Sequence, residues 1–309
     1  MVKRVVFMGT PEFAVPTLER LAAEGFEIAA VYTQPDRPKG RGQQLALSPV
    51  KEAALRLQLR VEQPLKVRAP EVREQLRGFD ADAMVVVGYG QIIPQAIIDL
   101  PRYGIINVHG SMLPKYRGAA PIQWAIANGE AVTGVTTMQI NAGLDTGDML
   151  LEWSTPIGAQ ENAVTLGARM AVAGAELLID TLRNIESIAP RKQDDAQASY
   201  APILKKEDGR IDFAMPARQI LNRMRGFQPW PGAYTSLRGV KLNVWDATVS
   251  DDVAVAQGMV VQQGKRLFAG CGEGTAIELL ELQMEGRKRM PAAMFLNGFA
   301  ISAPEQLGS

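Results

Sequence analysis

Short continuous apolar runs alternate with helical patterns in the first part of the chain, and this alternation constrains the fold more than any other feature. The run Val5–Met8 contains no polar residue, as expected of a strand that is buried on both faces. Gly9 then turns the chain, Thr10 can cap a helix, and Pro11 suits its first position. The opening segment therefore predicts a buried strand followed by a helix that runs toward Gly25.

The same succession continues downstream. Further strands are predicted at Ile28–Tyr32, Ala83–Val87 and Ile105–Val108, and further helices at Pro49–Leu59 and Pro70–Leu76. Alternating strands and helices favour an α/β fold, in which helices cover both faces of a doubly wound parallel sheet.

The second half of the chain has a different pattern. Apolar residues at helical spacing predict a long helix over Glu161–Ile185, whereas residues 190–201 are polar and without periodicity, as in a linker. Beyond a short predicted helix at Ala217–Arg225, strand-like runs are separated by glycines, which indicates a small antiparallel barrel or sandwich. These runs are Ala233–Leu237, Leu242–Val249, Met259–Gln262 and Thr275–Leu282. We predict a first domain at 1–189, a linker at 190–208 and a second domain at 209–309, with Trp230 and Trp245 in the core.

Length and charge agree with two ordinary domains. A chain of 309 residues exceeds the usual size of a single hydrophobic core. Hydrophobic residues make up 47% and charged residues 21%, and the formal net charge is zero. Any site for a nucleic acid must therefore be a local basic patch.

The chain contains one cysteine and one histidine. A single cysteine forms no internal disulfide and is typical of a reducing compartment. A zinc site of cysteine and histidine ligands is excluded for the same reason. The apolar run after the basic start is too short for a signal peptide, and no stretch approaches the length needed to cross a bilayer, so we expect a cytoplasmic protein.

Polar residues that could take part in catalysis lie at the end of the predicted strand Ile105–Val108. Because side chains alternate along a strand, Asn107 and His109 point to the same side of the sheet. Ligands of open parallel sheets bind beyond the carboxyl ends of the strands, where this strand ends. A tight acidic loop at 143–148 contains Asp145 and could return a carboxylate to that edge.

These motifs resemble those of the folate-dependent formyltransferases, and the resemblance covers the whole first domain. The Asn-x-His pair, a Ser-x-Leu-Pro-x-x-x-Gly loop and a Leu-Asp-Thr-Gly-Asp loop occur in that family's order and spacing. The resemblance implies that Asn107, His109 and Asp145 are catalytic, that the formyl donor is 10-formyltetrahydrofolate, and that no metal is needed. It also implies part of a folate pocket at Ser111, Met112, Leu113 and Pro114, with methionine where the family more often has leucine.

The side chains suit formyl transfer on chemical grounds as well. When an amine attacks a formyl carbon, negative charge develops on the formyl oxygen. The Asn107 amide and a protonated His109 can each donate a hydrogen bond to that oxygen. Asp145 can hold the imidazole and, through water, accept the proton that the amine loses.

The segment Thr33–Ser48 is longer than the usual connection between such elements, and loops of this length are usually functional or disordered. Arg37, Lys39 and Arg41 place three cations among prolines and glycines. A solvated loop and a phosphate-contacting loop fit this composition equally well. The segment resembles the insertion loop of family members that formylate tRNA, which implies that Arg41 senses the end of the acceptor stem.

The second domain resembles the oligonucleotide-binding (OB-like) barrel of the same tRNA-formylating members, notably in the run Phe227–Gly232. Its basic residues could line a channel for the acceptor arm, although a solvated charged face explains them equally well. These residues are Lys205, Lys206, Arg287, Lys288 and Arg289.

The expected function is formyl transfer to the amino group of charged methionyl initiator tRNA, by a monomer that contacts formyl-folate and no membrane. A formyltransferase acting on an amino sugar or another small amine remains an alternative, as does a non-catalytic module that binds RNA or folate. A dinucleotide oxidoreductase is disfavoured, because Gly9-Thr10-Pro11-Glu12 lacks the Gly-x-Gly-x-x-Gly pattern.

Overall fold

The computed structural model describes residues 1–39 and 44–308, which form two compact units. The first contains Met1–Pro121, Val132–Pro156 and Gly167–Pro202. The second contains Ile122–Ala131, Ile157–Leu166 and the chain from Ile203 onward. The whole polar stretch at 190–201 therefore belongs to the first unit. Arg41, the expected contact to the acceptor stem, lies outside the described residues.

The first unit contains a seven-stranded sheet and two small two-stranded sheets. The strands are β1 (Arg4–Gly9), β2 (Glu27–Tyr32), β3 (Arg37–Lys39), β4 (Gln44–Ala46), β5 (Val61–Glu62), β6 (Ala83–Val87), β7 (Ile105–His109), β8 (Arg117–Gly118), β9 (Val132–Gln139), β10 (Met149–Pro156) and β11 (Tyr200–Ala201). The large sheet has the order β10-β9-β7-β6-β1-β2-β5, whereas β3 pairs with β4 and β8 pairs with β11.

The large sheet is parallel except at one edge. Strands β5, β2, β1, β6 and β7 pair in parallel, and β9 and β10 are antiparallel. Every residue of β6 and β7 is buried, so both faces of the central sheet are covered. The expected α/β fold is confirmed, with the addition of an antiparallel edge that the sequence patterns did not indicate.

Most of the helices that accompany this sheet begin at or beside a proline. The helices are α1 (Val15–Ala23), α2 (Pro49–Arg56), α3 (Pro70–Gly78), α4 (Gln95–Ile98) and α6 (Ala163–Asn184), whereas α5 (Pro121–Ala127) lies almost entirely in the second unit. Ser48 caps α2, since its hydroxyl accepts the Lys51 N–H at 3.1 Å.

The expectation that Thr10 caps the first helix is wrong. A 3₁₀ turn at Glu12–Ala14 precedes α1 and has no side-chain cap. The Thr10 hydroxyl instead donates to the Tyr89 carbonyl at 3.1 Å, which ties the loop after β1 to the loop after β6. A contact between residues so distant in sequence outweighs the local capping preference.

The second unit is built around an antiparallel, nearly closed barrel, as the strand pattern predicts. It contains β12 (Tyr234–Leu237), β13 (Val240–Ser250), β14 (Met259–Gln263), β15 (Arg266–Gly270), β16 (Ala276–Met284), β17 (Met290–Pro291) and β18 (Glu305–Gln306), with helices α7 (Ala217–Gly226) and α8 (Ala292–Gly298). The order is β12-β13-β16-β15-β14-β18, with β17 beside β16. A bridge from Leu307, directly after β18, to Leu237 of β12 brings the two ends of this order together.

The expected burial of Trp230 and Trp245 is wrong. Trp230 is 54% exposed and Trp245 is 37% exposed. On β13 the inward positions are Leu242 and Val244, which leaves the next residue, Trp245, on the outer face. The Trp245 ring is covered there by Arg289, whose guanidinium lies 4.9 Å from the ring centroid.

Three further features bear on function. No helix in the described part of the chain is long and apolar enough to cross a membrane. Within residues 1–39 and 44–308, no group of three or more histidine, cysteine, aspartate or glutamate side chains could hold a metal ion. The single cysteine, Cys271, is buried, and burial raises the pKa of its thiol to about 11.

Candidate active site

The C-terminal end of β7 presents two polar side chains in an apolar sheet. Asn107 and His109 are buried at 8% and 5% relative exposure, with Val108 on the opposite face between them. Strand β7 is flanked by β6 and by β9, whose Thr136 lies directly opposite His109. The neighbouring strands therefore hold both side chains in defined positions.

The loop from β9 to β10 returns a carboxylate to this strand end. Its first turn closes on Asn141, whose Oδ1 accepts the Gly143 N–H at 2.9 Å and the Thr146 hydroxyl at 2.8 Å. Asp145 follows in the left-handed region, with φ of 51°. Aspartate tolerates this conformation better than most residues. We call residues 141–148 the acidic loop.

Asp145 contacts each of the other two predicted catalytic residues. Its Oδ1 lies 3.5 Å from Asn107 Nδ2, and its Oδ2 lies 3.7 Å from His109 Nδ1. The Gly118 N–H donates to Oδ2 at 2.8 Å, which anchors the carboxylate. The structure thus brings together the three side chains that the sequence motifs selected, although their order in the chain separates Asp145 from the other two.

The hydrogen bonds around His109 distinguish its two ring nitrogens. Nε2 lies 2.9 Å from the Tyr116 carbonyl oxygen, which can only accept, so this nitrogen donates. Nδ1 faces the Asp145 carboxylate at a distance beyond ordinary hydrogen-bond length. Nδ1 is consequently the ring nitrogen left to contact a substrate.

The arrangement suits a reaction in which negative charge develops on an oxygen. The Asn107 amide and His109 Nδ1 both lie near Asp145, and neither nitrogen forms a short hydrogen bond to the carboxylate. Such contacts often tighten when a substrate is bound. The buried surroundings strengthen any hydrogen bond to a developing oxyanion.

The predicted folate loop, residues 111–114, is partly built into the protein interior. Ser111 is fully buried, and its hydroxyl donates to the Lys115 carbonyl at 2.6 Å. Leu113 packs with Met138 and Met149, and its N–H donates to Thr136 at 3.1 Å. A cis peptide bond joins Leu113 to Pro114.

Met112 and Pro114 are half-buried, in contrast to Ser111 and Leu113. The side chains of the loop that remain accessible to a ligand are therefore those of Met112 and Pro114. Ser111 and Leu113 shape the loop from within.

The sequence patterns missed several residues that support the site. Gln193 Nε2 donates to the carbonyl oxygens of Asp145 and Gly147, each at 2.8 Å. Ser199 Oγ accepts the Tyr116 N–H at 2.9 Å. Gly118 has φ of 116°, and a Cβ there would lie 2.7 Å from the Ala201 oxygen, so only glycine fits. The one available signal was the conspicuously polar composition of residues 190–201.

The long loop that begins at Thr33 is fixed at its base. Arg37 is exposed at the start of β3, and Lys39 ends the same strand. Beside them, Lys51 Nζ donates to Asp36 at 2.5 Å and to Gln63 at 2.7 Å. Gln63 Nε2 in turn donates to Asp36 at 2.8 Å, and the hydrogen bonds from Lys51 and Gln63 lower the pKa of the Asp36 carboxyl.

The predicted cations of the second unit lie on its surface. Lys205 and Lys206 are exposed at a 3₁₀ turn, Lys206–Gly209. Arg287, Lys288 and Arg289 are exposed in the turn between β16 and β17.

Arg289 differs from the other two residues of this turn, because its guanidinium forms an ion pair with Glu281. Its charge is therefore already partly compensated within the protein.

Comparison with known proteins covers nearly the whole chain. Residues 3–182 match the family model described as formyl transferase, and residues 203–300 match the model described as formyl transferase, C-terminal domain. A protein from Solibacter usitatus named methionyl-tRNA formyltransferase is 62% identical over 308 residues, which cover 99% of this chain and 98% of that protein.

Two solved structures share the fold. An N-formyltransferase from Helicobacter canadensis, in complex with folinic acid and dTDP-3-aminofucose, superposes with a TM-score of 0.66 at 20% identity, covering 92% of this chain and 100% of that chain. HypX from Aquifex aeolicus, in complex with tetrahydrofolic acid, gives a TM-score of 0.61 at 18% identity over 98% of this chain and 48% of that one.

Proposed function

The chain belongs to the formyl transferase family, and from that premise we propose that it transfers a formyl group to the amino group of methionyl initiator tRNA. The observation that carries this proposal is the 62% identity, over nearly the full length of both chains, to a methionyl-tRNA formyltransferase. The formyl donor is 10-formyltetrahydrofolate, and the product is formylmethionyl-tRNA for translation initiation. The protein acts in the cytoplasm as a monomer.

The Asn107, His109 and Asp145 side chains provide the chemistry. The amine nitrogen bonds to the formyl carbon while negative charge develops on the formyl oxygen. Asn107 Nδ2 and His109 Nδ1 donate to that oxygen, and removal of one such donor typically costs about 10²- to 10³-fold in rate. When the carbon–nitrogen bond to folate breaks, the leaving nitrogen takes up the proton that the amine has lost, relayed by Asp145.

Asp145 handles the proton that the attacking amine must lose. Its carboxylate lies within 4 Å of both donors, so it accepts this proton directly or through one water. No covalent link between the protein and the formyl group is needed.

The donor's folate moiety contacts the half-buried side chains of Met112 and Pro114. The support for this assignment is that Ser111 and Leu113 use their polar groups and surface in internal contacts. A preformed loop of this kind loses little conformational entropy when the ligand binds.

The tRNA is recognised by cations on two parts of the chain. Arg37, Lys39 and Arg41 approach the end of the acceptor stem from the long loop of the first unit. Exposed basic residues of the second unit contact the phosphate backbone, namely Lys205, Lys206, Arg287, Lys288 and Arg289. These contacts are electrostatic, so binding weakens as salt concentration rises.

The direct test is a formylation assay with 10-formyltetrahydrofolate and three acceptors: charged initiator tRNA, free methionine and a dTDP-linked amino sugar. We expect rapid formation of formylmethionyl-tRNA and little product from the small amines. Faster transfer to the amino sugar would replace the tRNA proposal with a sugar-modifying activity. Binding of tRNA or folate without transfer to any acceptor would indicate a non-catalytic module.

A further inference from the structure

Residues 190–202, here called the strap, are hydrogen-bonded to the acidic loop and to β8, the two segments that hold Asp145. At one end, Arg191 and Met149 exchange two backbone hydrogen bonds of 2.8 Å, which places the strap beside the start of β10. At the other end, β11 pairs with β8, next to Gly118. The strap thus connects the end of the acidic loop with the segment that anchors the Asp145 carboxylate.

Gln193 is the strap residue that reaches the acidic loop through its side chain. Its Nε2 donates one hydrogen bond to the Asp145 carbonyl and one to the Gly147 carbonyl, both at 2.8 Å. Both N–H groups of the side-chain amide are thereby used. Gln193 is half-buried, whereas its neighbours Lys192 and Asp194 are exposed.

A buried arginine determines which way the Gln193 amide points. Arg117 is 3% exposed, and its Nε donates to Gln193 Oε1 at 2.9 Å. Its Nη2 donates to Asp195 at 2.7 Å, so both contacts lie on the strap. Because a guanidinium only donates, the amide oxygen must face Arg117 and the amide nitrogen must face the acidic loop.

The acidic loop needs this support because its own packing is slight. Leu144, directly before Asp145, is 61% exposed, and residues 141–143 are exposed as well. Asp145 also adopts a left-handed backbone conformation, which is less favourable for most residues than an extended one. Hydrogen bonds to its carbonyl fix the backbone from which the carboxylate projects.

We propose that Gln193 is a positioning residue, which holds the Asp145 backbone so that the carboxylate meets Asn107 and His109. The effect on catalysis rests on the proposed formyl transfer, whereas the effect on the acidic loop does not. A displacement of about 1 Å in such a constellation typically costs on the order of 10²-fold in rate.

Two substitutions distinguish a role of Gln193 in holding the acidic loop from a role only as the hydrogen-bond acceptor of Arg117. Gln193→Glu keeps an acceptor for Arg117 but turns a carboxylate toward the two loop carbonyls. Gln193→Met removes both interactions at similar volume. If Gln193 positions the acidic loop, kcat should fall at least tenfold in Gln193→Glu, and at least as far as in Gln193→Met. The KM values for tRNA and formyl-folate should stay within about twofold of those of the unsubstituted protein.

The matched control lies on the same strap. Gln197 Nε2 donates to Asp194 at 2.9 Å and is exposed. Gln197→Glu should therefore retain the kcat of the unsubstituted protein. If Gln193 only supported Arg117, Gln193→Glu would retain it too, and that result would overturn the proposal.

Hydrogen exchange of the Gly118 amide provides a readout that is independent of activity. Its N–H donates to the Asp145 carboxylate, so its exchange rate reports how firmly that carboxylate is held. We expect faster exchange, measured by NMR without substrates, in Gln193→Glu but not in Gln197→Glu. An unchanged exchange rate in Gln193→Glu would overturn the positioning proposal, whether or not the protein formylates tRNA. Failure of the unsubstituted protein to formylate tRNA would count against the proposed function alone.

Discussion

At the scale of single residues, the candidate site depends on how each polar group is partnered. His109 has one nitrogen hydrogen-bonded to the Tyr116 carbonyl and the other near the Asp145 carboxylate, which leaves Nδ1 as the nitrogen that could contact a substrate. Asp145 is anchored through Gly118 and directed toward both donors. The contribution of each of these side chains can be tested by a substitution.

We expect His109→Ala to lower kcat for formyl transfer by about 10²-fold or more, because it removes a donor used in the transition state. Steady-state kinetics on charged tRNA would measure this loss, and equilibrium binding should give nearly unchanged affinities for tRNA and folate. A variant that keeps a large fraction of the original kcat would exclude His109 from the catalytic set.

Asp82 provides a stability prediction away from the site. Its carboxylate accepts the N–H groups of Arg4 and Lys3, and these hydrogen bonds lower the pKa of Asp82. A carboxyl whose pKa is lower in the folded than in the unfolded state stabilises the fold above the unfolded pKa of about 4. That stabilisation is lost as the pH falls through the folded pKa.

Asp82→Asn should lower the free energy of unfolding at pH 7 by about 1 kcal/mol, after allowance for the partial exposure of the group. Urea titrations at pH 7 and below about pH 4 should show that the difference shrinks under acid conditions. Asp80→Asn is the control, because asparagine also adopts the left-handed conformation of Asp80, whose φ is 48°. An equal effect of both substitutions would contradict the assignment.

At the scale of elements, the long loop that begins at Thr33 combines a fixed base with a basic sequence. Lys51 on α2 joins Asp36 to Gln63, and Gln63 Nε2 donates to the Gln34 carbonyl at 2.8 Å. The loop leaves β2 at its carboxyl end, the edge of the sheet where β7 presents Asn107 and His109. A fixed base at that edge would direct the cations of the loop toward a bound tRNA.

Arg41→Ala should reduce kcat/KM on charged initiator tRNA far more than it weakens folate binding. Arg41→Lys should be partly impaired too, because lysine lacks the planar, forked donor array that contacts a base edge or phosphate. Kinetics with tRNA and folate titrations of both variants would measure this. Full activity of Arg41→Ala would show that Arg41 is not needed for recognition of the tRNA.

At the scale of the whole molecule, tRNA binding has to be achieved by a chain with zero net charge. Several of its basic residues are matched by acidic partners, as Arg289 is by Glu281 and Arg266 is by Glu278. Binding strength therefore depends on a few exposed cations whose charge remains available to phosphates, rather than on a general positive field.

Replacement of Arg287, Lys288 and Arg289 by alanine should weaken tRNA binding and flatten its salt dependence. Each lost phosphate contact should reduce the log–log slope by about 0.7 to 0.9. Because Glu281 already compensates Arg289, the double replacement of Arg287 and Lys288 should produce nearly the whole change. Affinities for tRNA measured over a range of salt concentrations would test this, with Arg266→Ala as the control. An unchanged salt slope would mean that residues 287–289 are solvated and do not contact the tRNA.

Several features of the protein could be predicted from the sequence, because they depend on local periodicity. The apolar runs predict the central parallel strands, and their alternation with helices predicts the α/β class, which the structure confirms. The alternation along β7 also places Asn107 and His109 on one side of the sheet. Resemblance of motifs, rather than geometry, selected Asp145 as their partner.

Other features were decided only by the tertiary structure. The roles of Gln193 and Arg117 arise from hydrogen bonds between segments far apart in the chain, and such contacts leave no periodic pattern in either segment. The exposure of Trp245 follows from which face of β13 packs inward, which an apolar side chain alone does not reveal. Local sequence thus determined the central elements and the residues at one strand end, whereas long-range hydrogen bonding determined how the acidic loop is held against them.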